Sequence, residues 1–382
     1  MTSTGRPLRL LQLVTRRQLR GAEVFAAQLS EGLAALGCEV VLAGLYAPGE
    51  PPLAAAGVEL LDLGGRPRRG LSPRLVRRLR RLVAARRPDL VQANGSDTLK
   101  YAVLALRGAR PRPPLVYRSI SIQSLWLRGA LHRRWNRWLL HQADCVAAVS
   151  RGAAGDLVAT HSLAPGRVTV LPLGTSAGPA PDPAVARARL AAAAGLDPTG
   201  PLLVHVGSFT PEKDHALLLA AFREVRRRLP AARLVLLGDG PLRPAVERRA
   251  AAAGWAASGT GGAVRFLGAR PDAAELAGGA DLLVLSSRIE GTPGVVLEAA
   301  ARGVPAVATA VGGLPEVVEH GRTGLLTAPG DAAELAGALL ELLAAPERRR
   351  AMGRSARERV LERHDLGLVT RSFLELYRRL DG

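Results

Sequence analysis

Apolar residues along this chain fall into two alternating patterns. Short continuous runs recur, and between them lie stretches in which apolar positions are spaced three and four apart. The first run, residues 8–14 (LRLLQLV), reads as a strand. Ala22, Phe25, Leu29, Leu33 and Leu36 then follow at spacings of 3, 4, 4 and 3, one stripe of a helix that Gly37 ends before a second strand at 39–45. The alternation continues with a strand at 58–63, a helix at 73–87 with Leu75, Val76, Leu79, Leu82 and Val83 inward, and strands at 89–93 and 115–117. A helix near 129–142, a strand at 145–149, a helix from Ser150 and a strand at 168–173 complete this half. A second series begins at 202, with strands at 202–206, 233–237, 264–267, 282–285, 305–309 and 324–327. The helix after Lys213 carries Leu218, Phe222, Val225 and Leu229, and helical stretches at 331–343, 346–363 and 366–380 end the chain. Runs this short and apolar fit strands buried on both faces, and helices between them imply parallel doubly wound sheets.

The 382 residues suffice for two cores. Residues 175–200 shift toward Ala, Pro and Gly and read as a linker with a short helix around 183–194. The expected fold class is therefore α/β, with a Rossmann-like domain over 1–174, a linker over 175–200 and a second Rossmann-like domain over 201–365. Two such domains facing across a cleft would place a ligand between the sheets.

Charge changes the picture. Residues 1–175 hold 26 Lys and Arg against 10 Asp and Glu, a balance of +16; residues 176–382 hold 26 against 23, or +3. A basic first half suits an anionic membrane surface, a phosphorylated acceptor or a plainly solvated face. Nucleic acid is disfavoured by the scarcity of aromatic residues and the lack of any nucleic-acid module signature. The helix at 129–142 carries Trp135 and Trp138, with Trp126 just upstream, and admits two readings. In one it lies on a membrane with Trp inserted; in the other, which is favoured here, the tryptophans face inward. Cys38 and Cys145 have no paired spacing, which argues against a disulfide framework or zinc site and fits a reducing compartment. No run approaches the length of a membrane span, and a cytoplasmic protein is expected, in peripheral contact at most with the inner face of the membrane.

Chemistry concentrates where strands end. Glu290 and Glu298, seven residues apart, bracket Gly291, Thr292, Pro293 and Gly294, a loop whose backbone can approach a ligand closely before a helix start near Pro293. In VGSFTPEKDH (206–215), Gly207 ends a strand and Lys213 begins the next helix, where a cation is disfavoured unless an anion is bound. Lys213 is one of only two lysines, with Lys100. His215 reads as a solvated surface histidine. GDGP (238–241) and VRFLG (264–268) are further strand ends, and Gly21 sits at a strand-to-helix turn, either as a plain helix start or with its N–H toward a phosphate.

Taken together, these segments resemble the retaining glycosyltransferases of family 4, with the GT-B architecture. The likeness covers nearly the whole chain and is strongest from 202 to 328. Glu290 and Glu298 match the E-x7-E element within EGTPGVVLEAAARGVPAVAT, followed by VGGLPEVVEHGRTGLL; Gly207 and Lys213 match the phosphate loop; Gly21-Ala22-Glu23 matches the N-terminal glycine loop; VTVLPLG matches the interdomain strand. The stretch 366–382 matches a C-terminal helix that returns to the first domain. The resemblance implies transfer of a hexose from a nucleotide-diphosphate sugar, with retained anomeric configuration, no metal and no bound cofactor. By that likeness Lys213 neutralises the leaving diphosphate and Glu298 holds the ribose hydroxyls. Glu290 with the N–H groups from Gly291, Thr292, Gly294 and Val295 (Pro293 between them has none) holds hexose and phosphate. Phe266, Leu267 and Gly268 meet the base, and Gly21 approaches the phosphates.

Four positions depart from the family pattern. Ser208 replaces the arginine usual after the glycine, the loop RSISIQ lacks a frequent histidine, Leu173-Gly174-Thr175-Ser176 replaces Asn-Gly-Val-Asp, and the glycine pair is Arg20-Gly21. Arg118 or Arg20 stands as a substitute cation, and Arg20, Asn94, Arg118 and Ser119 are the acceptor-side candidates. The acceptor class is lipid-linked, polysaccharide or small molecule. A nucleotide-sugar epimerase on the same fold has no motif here. The remaining alternative is a degenerate member that binds a nucleotide sugar or a partner without turnover.

Overall fold

The computed structural model describes residues 6–50, 52–66, 70–127, 129–255 and 262–381. Two compact units divide the chain, Met1–Gly174 together with Leu366–Gly382, and Thr175–Asp365. In order, the first unit contains β1 (Arg9–Val14), α1 (Gly21–Ala35), β2 (Glu39–Tyr46), β3 (Glu59–Gly65), α2 (Pro73–Arg86), β4 (Leu90–Asn94) and α3 (Ser96–Leu106). β5 (Leu115–Ser119), α4 (Gly129–His141), β6 (Cys145–Ala148), α5 (Arg151–His161) and β7 (Val168–Val170) follow. The second contains α6 (Pro183–Ala194), β8 (Leu202–Val206), α7 (His215–Arg228), β9 (Arg233–Leu237), α8 (Arg243–Ala252), β10 (Val264–Gly268), α9 (Ala273–Ala277) and β11 (Leu282–Leu285). It continues through α10 (Gly294–Ala300), β12 (Ala306–Thr309), α11 (Leu314–Val317), β13 (Gly324–Thr327), α12 (Ala332–Ala344) and α13 (Pro346–Arg363). The last helix, α14 (Leu366–Asp381), belongs to the first unit.

The first unit is built on a seven-stranded sheet in the order β3-β2-β1-β4-β5-β6-β7, the second on a six-stranded sheet in the order β10-β9-β8-β11-β12-β13. Every pairing within them is parallel. Parallel neighbours require a crossover, and helices therefore cover both faces. That explains why the central strands are apolar without alternation: Leu10, Leu11, Leu13 and Val14 in β1, and Leu282 to Leu285 in β11, are all buried. In each sheet the strand order reverses once, between β1 and β4 and between β8 and β11. At such a reversal the loops from two neighbouring strands diverge to opposite faces and leave a crevice at the carboxyl edge.

α14 completes the first unit's core. It packs on α1 at Gly32, where a methyl group would lie 2.8 Å from Thr370 Oγ1, and its Phe373 ring meets Phe25 with centroids 6.2 Å apart. Tyr377 is fully buried, donating its hydroxyl to Gln92 Oε1 at 2.6 Å and accepting from Gln12 Nε2 at 3.1 Å. The chain's end is thereby tied to the two strands at the reversal of the first sheet.

Residues 175–200, expected as a linker, lie within the second unit. α6 is capped by Asp182, whose Oδ1 accepts from Ala184 N at 2.8 Å, and it buries Ala186, Leu190, Ala191 and Ala194. A methyl group on Gly279 would stand 2.2 Å from the Ala186 carbonyl oxygen, so the helix approaches the start of β11 at backbone distance. The alanine bias that suggested a tether is the composition of a close helix contact. Among the described residues no helix is long and apolar enough to cross a membrane.

Tyr377→Phe leaves Gln92 Oε1 and Gln12 Nε2 buried and short of a partner. It is expected to cost the first unit about 1–3 kcal/mol, read as a lower denaturant midpoint. An unchanged midpoint would show that water or a rearranged amide satisfies them.

Candidate active site

At the reversal of the second sheet, the loops after β8 and β11 bring Lys213 and Glu290 together. Lys213 closes a single 3-10 turn at Pro211–Lys213, and its Nζ lies 2.5 Å from Glu290 Oε1. Both side chains are largely out of solvent, Lys213 at 16% exposure and Glu290 at 7%. Ser287 Oγ donates to the same carboxylate oxygen at 2.6 Å. Ser286 Oγ donates to the carbonyls of Lys213 and Asp214 at 2.9 and 3.1 Å, and Thr309 Oγ1 donates to the Ser287 carbonyl at 2.6 Å. Ser286 thus ties the loop carrying Glu290 to the loop carrying Lys213, while Ser287 and Thr309 brace the Glu290 loop from within and from the end of β12.

Contrary to the expectation from the sequence, Lys213 does not open α7, which starts at His215. Asp214 follows it in the left-handed region (φ 45°) and caps the helix, accepting from Leu217 N at 3.2 Å, while its other oxygen accepts from Arg288 Nε at 2.6 Å. The Asp214 carboxylate therefore already occupies the N-terminus of α7, and the positive charge that faces Glu290 comes from Lys213.

Two glycines make the neighbouring turns possible. Gly238, after β9, has φ 132°, and a side-chain carbon there would lie 2.0 Å from the Gly207 carbonyl oxygen. Gly312, after β12, has φ 58°, and its carbon would lie 1.9 Å from the Glu290 carbonyl oxygen. Only a bare backbone fits in either place. Gly207 N donates to Leu237 O at 2.9 Å and Gly238 N to Gly268 O at 2.7 Å. The carboxyl ends of β10, β9, β8 and β11 thus stand side by side, placing Gly268, Gly238, Gly207 and Glu290 along one edge. Phe266 and Leu267 lie on the outermost strand of that row, partly exposed. Gly291, Thr292, Pro293, Gly294 and Val295 lead into α10, which starts without a side-chain cap. Glu298, on α10, is half-buried; burial and Glu275 push its carboxyl upward against the pull of Arg302, and among the described residues no side chain bonds to it. Ser208 Oγ lies 3.2 Å from Thr210 Oγ1, so the position usually held by arginine is spent on a local turn.

Two family models match this chain. The model described as glycosyl transferases group 1 covers residues 200–345, and that described as glycosyltransferase family 4 covers residues 19–177. A GDP-mannose-dependent alpha-(1-6)-phosphatidylinositol monomannoside mannosyltransferase from Mycolicibacterium smegmatis is 32% identical over 304 residues, 73% of this chain and 76% of that one. The chain belongs to the family 4 glycosyltransferases. It is also 33% identical over 192 residues to an N-acetyl-alpha-D-glucosaminyl L-malate synthase from Bacillus anthracis, covering 48% of this chain and 46% of that one. It spans about half the length of the first curated relatives it matches. Anabaena HepE, crystallised in complex with UDP-glucose, superposes with a TM-score of 0.82 at 22% identity over 96% of this chain and 98% of that one, which establishes the shared GT-B fold.

In the glycosyltransferase's first unit, the acceptor-side candidates are mostly turned inward. Asn94 is buried with its amide fully engaged: Nδ2 donates to Gln12 Oε1 and Leu13 O, both at 3.1 Å, and Oδ1 accepts from Gln92 at 3.1 Å and Arg118 at 3.4 Å. Arg118 is also buried, its guanidinium 4.1 Å above the Phe25 ring and donating to Ala22 O at 3.3 Å; burial lowers it to about 9. Ser119 is buried against Ser121 O. These residues end strands, and the side of the strand that Asn94 and Arg118 share points under α1, while Ser119, on the other side, bonds within its own loop. Arg20 is exposed just before α1, and Gly21 has open space where a side chain would stand.

The tryptophans differ from the favoured reading as well. Trp126 and Trp135 are exposed, and Trp138 is only partly covered. His215, read as a surface residue, is buried, its ring stacked on Phe209 at 4.2 Å and edge-on to His205 at 4.9 Å. His205 donates from Nδ1 to Val284 O at 2.8 Å. Both imidazoles are held neutral beneath Lys213, mainly by burial, at about 3 for His205 and about 4 for His215. Sequence reasoning missed His205 because a histidine in an apolar strand carries no periodic signal. Ser287 and Thr309 are legible only once β11 and β12 are paired.

The unfolded chain takes up protons on these histidines near 6.5, while the folded protein does so only near 3 and 4. Stability is therefore expected to fall as pH drops through 6.5 toward 4, and to be unaffected by them above 6.5. His215→Phe, which keeps the stack without titrating, should show a smaller loss of thermal midpoint between pH 7 and 5 than the parent. An equal loss would assign it to other groups.

Proposed function

We propose that this chain is a retaining hexosyltransferase that uses a nucleotide-diphosphate sugar, without a metal or bound cofactor, and transfers its hexose to a lipid-linked, polysaccharide or small-molecule acceptor. The observation that carries the reading is the Lys213–Glu290 pair at the sheet reversal, a buried cation and carboxylate on two loops of one edge. UDP-glucose in the complex of Anabaena HepE and the GDP-mannose dependence of the mycolicibacterial relative support a nucleotide-sugar donor.

In the proposed reaction the bond between the anomeric carbon and the diphosphate oxygen breaks, and the charge developing on that oxygen is met by Lys213. The acceptor hydroxyl forms the new bond on the face the diphosphate leaves and gives up its proton to the departing diphosphate oxygen. Lys213 has to exchange a carboxylate for a phosphate, and Glu290, once released, is free to accept hydrogen bonds from the hexose hydroxyls. Glu298 receives the ribose hydroxyls, as two acceptor oxygens with no other bonded partner among the described residues allow. Gly207 and the backbone from Gly291 to Val295 accept close approach of the phosphates, and the edge at Phe266, Leu267 and Gly268 receives the base. We place the enzyme in the cytoplasm, with peripheral contact to an anionic membrane through the basic first half.

Lys213→Ala is expected to lower turnover by about 10²–10³-fold. Near-normal rates with any donor that binds would remove Lys213 from the chemistry. Glu290→Gln removes the competitor for Lys213, so affinity for UDP should rise while sugar transfer falls; weaker UDP binding would show that Glu290 does not compete. A protein that binds UDP-sugars tightly, measured by thermal shift, yet neither hydrolyses nor transfers any of them would instead be a binding module, the outcome that Ser208 in place of a second cation would explain.

A further inference from the structure

From residue 98 to 143 the chain contains Lys100 and eight arginines and not one Asp or Glu. The 3-10 turn at Ser124–Trp126 and α4 form the outer part of this stretch, and they leave large apolar side chains in solvent. Leu131 is 84% exposed, Leu125 52%, Trp126 49% and Trp135 39%. On α4, Leu131, Trp135 and Trp138 follow at spacings of four and three, a single stripe, with the Trp135 and Trp138 rings stacked at 5.0 Å. Arg134 flanks that stripe, Arg137 and Arg133 continue the exposed arc beyond it, and Leu139 and Leu140 bound the remaining face, which is buried in the core. α4 follows β5 in a parallel sheet, so its first turn and the preceding Leu125 and Trp126 lie at the carboxyl edge, the edge that also bears Arg20 and Gly21.

We infer that this tip, Leu125, Trp126, Leu131 and Trp135 with the three arginines, is the surface by which the first unit inserts into an anionic bilayer. The inference rests on the membrane contact proposed above and gives it a location and a mechanism, apolar insertion held by charge. Leucine and tryptophan side by side suit the boundary between acyl chains and head groups, and guanidinium groups next to them suit lipid phosphates. A second copy of this chain is a poor occupant, because a two-fold contact would set this arginine-rich surface against its own image. Nucleic acid is a poor one too, since Leu125 and Leu131 offer no face on which a base can stack.

The test uses the full chain and vesicles of phosphatidylcholine, with and without phosphatidylglycerol. The parent should sediment with the anionic vesicles only, with a blue shift of tryptophan emission. The variant Leu125→Ser/Trp126→Ser/Leu131→Ser, whose changes are all at exposed positions, should bind at least about tenfold more weakly at every salt concentration. Arg133→Ser/Arg134→Ser/Arg137→Ser should bind more weakly at low salt and lose the salt dependence. Binding by the apolar variant equal to the parent's, a parent that ignores anionic vesicles, or a dimer that the apolar variant makes monomeric would each overturn the inference. UDP thermal shift and donor hydrolysis on the same preparations separate the two levels: if they persist without vesicle binding, the docking surface falls and the transferase stands, and if they are absent from the parent, the transferase reading falls.

Discussion

Parallel pairing is the constraint on which both units depend. Every strand in either sheet delivers its chain to the same edge, and every polar loop that leaves a strand opens there. Residues far apart in sequence, such as Lys213 and Glu290, meet because β8 and β11 are adjacent while the helices that follow them depart to opposite faces. No local signal in either loop requires the contact. It follows from strand order, and strand order follows from the right-handed crossovers that an alternating strand-and-helix chain adopts.

Electrostatics then gives that contact its meaning. A lysine and a glutamate taken out of water recover their desolvation cost only through each other and through further hydrogen bonds, here from Ser287. The neutral histidines below add no charge, so neither contributes to the positive potential of Lys213 near neutral pH. An anion arriving at Lys213 competes with one carboxylate and meets a loop already fixed by Ser286 and Thr309, so binding rearranges partners more than backbone.

The sequence carried the fold well because buried parallel strands are continuous apolar runs, and the helix stripes between them are regular. The donor-side residues were legible for a related reason: glycines at Gly207, Gly291 and Gly294 and charges at Lys213, Glu290 and Glu298 stand out against apolar strands. What escaped were properties of packing. Asn94 and Arg118 lie at the sheet edge, as expected, yet point beneath α1, because facing is set by register and by the cover that α14 provides. His215 is polar by composition and buried by its stack on Phe209. Residues 175–200 looked like a tether since alanine marks both loose linkers and close helix contacts, and only the approach of Gly279 to Ala186 distinguishes the two.

The place of α14 has a consequence for how the protein is made. Tyr377 and Phe373 close a core whose other members, Gln12, Phe25 and Gln92, are all synthesised before Thr175. Everything from Thr175 to Asp365 must leave the ribosome before that closure can happen. The first unit is thus finished only after the second has been made, and its uncovered face waits through that synthesis, the interval in which a chaperone has most to protect.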